Sequence, residues 1–184
     1  TEQGLPSRQV QSLAQDFEGR LWIGTVNGLV RFDGHEFVGY PARLEQSNAL
    51  ASTSVEALAI DAAGQVWVAT EGGRLARWRP DSDDFERVDL APAQAEQLEV
   101  WALATLDQRI FVGTYGAGLL ELDAAGRLLR RYAVPAAIGG PHVLDLLAVD
   151  GALWVITLER HLLHFDVDSG AFAEVMAAPG QALT

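Results

Sequence analysis

The chain has no cysteine. That excludes thiol catalysis, a disulfide framework and thiolate-bound metal, and it fits either the cytoplasm or the periplasm. It also lacks any apolar run near the roughly 18–20 residues of a membrane span. Asp145 and Asp150 interrupt its most apolar stretch, from Val143 to Leu158. Basic side chains are scarce: 13 Lys plus Arg stand against 25 Asp plus Glu, a formal net charge of -12. That balance repels polyphosphate and excludes a nucleic-acid partner from the reading. No charged segment followed by an apolar one opens the chain, so any signal peptide is expected to have been removed from this piece.

What is present suffices for a packed core, since 49% of the 184 residues are hydrophobic,. The stretch DFEGRLWIGTVNGLVRFDG, from Asp16 to Gly34, poses the main question, because its glycines suit either a phosphate loop or a recurring structural unit. Self-similarity decides it. Segments beginning at Val10, Val55, Val100 and Val143 share one pattern, at spacings of 45, 45 and 43 residues. The Thr that closes each WIGT-like element recurs at Thr25, Thr70, Thr114 and Thr157. Each copy divides into four short β-like segments joined by turns rich in Gly, Asn and Asp. LWIG, VWVA, IFVG and LWVI are apolar at both parities, so each of these strands is buried on both faces,. Four-stranded units of this length, covered on both sides by their neighbours, describe the blades of a β-propeller. The expected fold is therefore all-β: a β-propeller of four four-stranded antiparallel blades, over about 5–40, 50–88, 97–132 and 140–175. An open sandwich or solenoid is the alternative, but a sandwich would show an outward polar face. Gly19, Gly24 and Gly28 are then turn and packing glycines, because a phosphate loop needs a following helix.

GLPSRQVQSLAQDFEGRLWIGTVNGLVRFDG closely resembles the two-component regulator propeller repeat. The matching positions run from Leu5-Pro6-Ser7 and Val10 through Asp16, Gly19 and Leu21-Trp22-Ile23-Gly24-Thr25 to Gly28-Leu29. With Thr1–Gly4 before it, this looks like a first blade. The likeness thins along the chain: Ala69 replaces a Gly in copy two, and Ile156 does so in copy four. The resemblance implies the periplasmic sensing part of a bacterial membrane receptor. It also implies further blades, a membrane helix and a kinase or diguanylate cyclase output, none of them in this sequence. The chain is accordingly expected to be an N-terminal piece of a larger propeller. Four blades either close alone, leave two raw faces, or pair through those faces as a homodimer.

Function is expected at the channel mouth, where the residues before each innermost strand converge with the turns between second and third strands. That places Arg8, Gln9, Ser54, Glu99 and His142 at the mouth, with Asn27, Glu71, Tyr115 and Arg160 further out. Arg8 or Arg160 would clamp a carboxylate or sulfate, and Tyr115 would stack on a sugar ring. The expected partner is thus a small molecule, a saccharide or an organic acid, and the bland alternative is an ordinary solvated loop. Trp22, Trp67, Phe111 and Trp154 share one repeat position and are expected between blades. Trp101 breaks that register: it follows the start of an inner strand and could reach the channel, but burial is the expectation. His161 and His164 point to opposite faces of a strand and His35 lies in another loop, so no metal is expected. No cofactor is expected either. No nucleophile elbow occurs, and Asp83-Asp84 falls in a hairpin turn expected to be solvated, so the piece is read as a non-enzyme. Sensing is the first reading, a dimerisation or protein-interaction platform the second, and a propeller hydrolase or lyase the third.

Overall fold

The computed structural model of the chain describes residues 4–90 and 98–175. The expected start of the third blade at 97, and Thr1–Gln3 of the family-like opening, lie outside the described residues. Sixteen strands among them form four separate antiparallel sheets of four, each in simple sequence order. The first sheet holds β1 (Val10–Gln15), β2 (Leu21–Thr25), β3 (Gly28–Phe32) and β4 (Phe37–Tyr40). The second holds β5 (Val55–Ile60), β6 (Val66–Thr70), β7 (Arg74–Arg79) and β8 (Asp84–Val88). The third holds β9 (Glu99–Leu106), β10 (Arg109–Tyr115), β11 (Leu119–Asp123) and β12 (Leu128–Tyr132). The fourth holds β13 (Val143–Val149), β14 (Ala152–Thr157), β15 (Leu162–Asp166) and β16 (Ala171–Glu174). One 3-10 turn, Ala136–Ile138, is the helical element among the described residues. The fold is the expected all-β propeller architecture of four-stranded antiparallel blades.

The first turn of a blade and the aromatic residue after it are one device. Asp16 Oδ1 accepts the backbone N–H groups of Glu18 and Arg20, both at 3.0 Å, and Oδ2 accepts the indole N–H of Trp22 at 2.8 Å. Asp61 repeats this with Ala63, Gln65 and Trp67. The carboxylate thus closes the hairpin and satisfies a buried donor that would otherwise be costly. The third blade has Phe111, which needs no acceptor, and its turn is shortened around Asp107 at φ 55.

The core lies between blades, with the innermost strands β1, β5, β9 and β13 packed in succession. Trp22 packs with Val55, Val66, Val68 and Trp78 of the second blade. Trp67 packs with Val100, Ile110 and Val112 of the third. Phe111 packs with Leu146, Leu153, Val155 and Phe165 of the fourth. The first three blades thus each present their aromatic position to the next one. The close approach needs small residues beside it. A Cβ at Gly24 would lie 2.6 Å from Val55 Cγ1, and one at Gly113 would lie 2.6 Å from Val143 Cγ1.

Among the described residues the two end faces are uncovered, so the blades form an open arc. Leu13 is 61% exposed on the first blade, and Leu147 is 61% exposed on the fourth. Trp154 departs from the expectation of burial between blades. It faces outward beside Leu147, Ile156 and Leu162, on a concavity of about 430 Å³. The cause is its place in the arc: it occupies the position of Trp22 and Trp67, but on the fourth blade's free side.

Candidate functional site

Each innermost strand carries the same irregularity near its start. Val10 pairs with Thr25, but the next pair is Ser12 with Gly24. The same skip occurs between Val55 and Ala57, between Val100 and Ala102, and between Val143 and Asp145. The extra residue of each β-bulge is Gln11, Glu56, Trp101 or Leu144. A bulge re-aims its side chain out of the regular sheet. Here it does so at one end of the arc, four times over, with four different chemistries on one backbone geometry.

The buried threonine opposite each bulge fixes the adjoining turn. Thr25 Oγ1 donates to Gly28 O at 2.9 Å and accepts from Asn27 N at 3.1 Å. Thr114 Oγ1 does the same with Gly118 O, at 2.8 Å, and Ala117 N, at 3.1 Å. These turns carry Asn27, Glu71, Tyr115 and Arg160, and the backbone brings each to its expected partner at the mouth. Val26 N donates to Gln9 O, Glu71 N to Ser54 O, and Leu158 N to His142 O. Glu99 pairs directly with Tyr115 across β9 and β10.

The mouth is not uniform. Between the first two blades it is polar. Gln11 Nε2 donates to Glu56 Oε2 at 3.2 Å, while Ser54 Oγ bonds Glu56 Oε1 at 2.7 Å and Gln11 Oε1 at 3.1 Å. Between the third and fourth blades it is aromatic. Tyr115 packs on Trp101 with ring centroids 4.8 Å apart, and on His142 at 4.2 Å, with the ring planes tilted by 34° and 33°. A backbone bridge from Tyr115 to His142 joins the two blades there. Tyr115 remains 42% exposed, and Trp101 and His142 are partly exposed. The His142 Nδ1 is buried with no hydrogen-bond partner.

Of the expected site residues, Glu99, Tyr115 and His142 come together in this aromatic stack. Gln9 and Asn27 share the first blade's corner, and Ser54 and Glu71 the second's. Arg8 and Arg160 are exposed on the first and fourth blades, the two ends of the arc, and make no ion pair among the described residues. Arg160 sits at φ 68, with its N–H bonded to Thr157 O. The residues missed were Gln11, Glu56 and Leu144. Their signal was a side chain that varies in kind directly after each aligned valine.

Other chemistry-bearing groups serve the fold. Asp83 and Asp84 lie at the surface as expected of a hairpin turn, yet both carboxylates are engaged. Asp83 Oδ1 accepts from Arg31 at 2.9 Å, Tyr40 at 2.6 Å and Trp78 at 3.0 Å. Burial pushes the Asp83 carboxyl up, but the hydrogen bonds of Tyr40 and Trp78 and the charge of Arg31 together hold it below the usual range. Burial, then the bond to Asp83, pushes the Tyr40 phenol well above its ordinary value. Asp84 accepts both Arg79 Nε and Nη2 at 2.7 Å. His161 bonds Glu174 at 2.6 Å, while His164 stands edge-on to Trp154. No cluster of three potential metal-ligating residues occurs among the described residues.

Comparison with known proteins places the first blade. Residues 4–27 match the two component regulator propeller family. No curated protein matches the chain. Among solved structures, the chain is similar to the extracellular domain of a putative hybrid two component system from B. thetaiotaomicron. The TM-score is 0.77 at 24% identity, covering 95% of this chain and 25% of that one. It is also similar to the extracellular domain of a putative one component system from the same organism, with TM-score 0.74 at 19% identity, covering 94% of this chain and 26% of that one. A catalytically inactive H270A virginiamycin B lyase from Staphylococcus aureus, solved with quinupristin, gives TM-score 0.67 at 15% identity, covering 96% and 59%. At these identities the likeness is one of fold. The chain spans about a quarter of the length of the two receptor domains.

Proposed function

We propose that the chain is a sensing segment of an extracellular, periplasmic receptor region, and that it binds a small molecule at the mouth of the arc. The observation that carries this is the repeated bulge. A backbone identical in four blades aims Gln11, Glu56, Trp101 and Leu144 to one end, beside the stack of Trp101, Tyr115 and His142. Rigid elements that present variable side chains around an aromatic surface suit recognition. The two-component repeat in the first blade supports a receptor setting. No helix among the described residues is long and apolar enough to cross a membrane. Of the two ligand classes expected, the saccharide fits better, because Glu99 stands opposite Tyr115 and Glu56 holds the bulge of the neighbouring blade, and both carboxylates oppose an organic acid.

The reading is non-catalytic. Ser54 bonds Glu56 and Gln11, and His161 bonds Glu174 on another blade, so these groups form no nucleophile–base–orienter chain,. The ligand acts on a distant output only by favouring one arrangement of the receptor over another. A thermal-shift screen of sugars, oligosaccharides and organic acids tests this on the wild type and on Trp101→Ala. The reading expects stabilisation that Trp101→Ala abolishes. Stabilisation untouched by that change, or turnover of a bound compound, contradicts it.

The exposed end faces favour a second reading, a dimerisation or protein-interaction platform. Leu13 and Leu147 lie on apolar surfaces that interior blades bury,.

A further inference from the structure

We infer that the mouth receives a positively charged organic group, a protonated amine or quaternary ammonium, held on Trp101 and Tyr115 with Glu56 and Glu99 as counter-charges. The inference rests on the mouth being the binding site and assigns its ligand a positive charge, which makes a neutral saccharide the competing outcome of the test.

The molecule already contains this chemistry, filled by its own side chains: Arg20 lies 5.1 Å from the Trp78 ring and pairs with Asp16 at 2.8 Å. The Arg31 guanidinium lies 5.7 Å from the ring centroids of Trp22 and Tyr40 and 5.5 Å from that of Trp78. Its charge is answered by Asp83 at 2.9 Å. Aromatic faces attract cations through their quadrupole, and a nearby carboxylate adds to that attraction.

The mouth repeats these ingredients. Trp101 and Tyr115 stack at 4.8 Å. Glu99 is the direct cross-strand partner of Tyr115. Glu56 holds the bulge position on the second blade that Trp101 holds on the third, and β5 packs against β9. The bulge side chains of the first and second blades touch, through the bond from Gln11 to Glu56. Glu56 accepts hydrogen bonds from Ser54 and Gln11, two neutral donors. Neither glutamate makes an ion pair among the described residues. The segments outside them, 1–3, 91–97 and 176–184, contain no Arg, Lys or His. The basic residues at this end are Arg8 on the first blade, Arg74 beyond the Glu71 turn, Arg160 on the fourth blade and His142 beside Tyr115. The centre of the arc is left acidic and aromatic. A formal net charge of -12 draws cations toward the protein as a whole,.

The test uses a matched pair of probes of the same shape, choline and its uncharged isostere 3,3-dimethyl-1-butanol. Each is titrated into the chain while the indole resonance of Trp101 is followed by NMR. A neutral sugar series is run alongside. Choline is expected to move the Trp101 signal with an affinity roughly ten-fold above that of the isostere. Glu56→Gln with Glu99→Gln should erase most of that difference and leave the melting temperature unchanged. Added salt should weaken choline and spare the isostere. Equal affinity for the two probes overturns the charge assignment. A sugar that moves Trp101 where choline does not overturns it too, and leaves the mouth as the site. No movement with any probe overturns both.

Discussion

A single methyl group at Gly113 tests the stacking of blades. Gly113 is free of positive-φ strain, so only space decides the outcome. An added Cβ would lie 2.6 Å from Val143 Cγ1 and 3.0 Å from Ala102 Cβ. Comfortable carbon contacts need about 3.5–4.0 Å, so the shortfall against Val143 is about 1 Å. Val143 is fully buried and, being β-branched, has little rotamer freedom with which to retreat,. Overpacking of this kind costs about 1–3 kcal/mol. Gly39 supplies the control: it also lies in a strand, and its added Cβ meets nothing within 4 Å. Both substitutions reduce the freedom of the unfolded chain alike, so their difference isolates the clash. For a domain of this size, Gly113→Ala should melt roughly 2–12 °C below Gly39→Ala. Chemical unfolding of both variants gives the same comparison in free energy. Val143→Ala makes room, so the double variant should be about 1–2 kcal/mol more stable than the two single changes summed. A Gly113→Ala protein as stable as Gly39→Ala, with an additive cycle, would refute the packing of the third blade on the fourth.

Asp16→Asn should cost about 1–3 kcal/mol, because it weakens acceptors for Trp22, Arg20 and two backbone donors, and urea unfolding measures it. Burial alone would raise the Asp16 carboxyl, but the bonds from Trp22 and Arg20 bring it below its ordinary value. A depressed carboxyl stabilises fully above its unfolded value of about 3.9 and loses that contribution as pH falls through its lower folded value. Unfolding titrations should therefore show a shallower acid slope in Asp16→Asn than in the wild type. The uncovered end faces should make the chain associate as concentration rises. Sedimentation should show that Leu147→Glu weakens this, whereas a stable monomer at all concentrations removes the platform reading.

The period of the chain was legible because a blade is short and its turns need particular residues. Asp16, Gly19, Trp22 and Thr25 recur together in the second blade, as Asp61, Gly64, Trp67 and Thr70, since one carboxylate organises the first hairpin of each. The outward turn of Trp154 was not legible, because sequence equivalence to Trp22 does not say whether another blade follows in space. The site was half legible. Counting from the strand starts brought Glu99, Tyr115 and His142 to one corner. The bulge residues Gln11, Glu56 and Leu144 escaped, since a one-residue irregularity leaves the hydrophobic pattern intact. The engagement of Asp83 also escaped: its partners Arg31 and Tyr40 lie on the preceding blade, about one repeat earlier in the chain.

The five tryptophans report on the whole account at once. The chain labelled with 5-fluorotryptophan should give five ¹⁹F resonances whose broadening by a soluble paramagnetic agent ranks their exposure. Trp22, Trp67 and Trp78, sealed between blades, should resist it, while Trp101 at the mouth and Trp154 on the open face should broaden. Broadening of Trp67, or protection of Trp101 equal to that of Trp22, would contradict both the stacking of the blades and the open mouth.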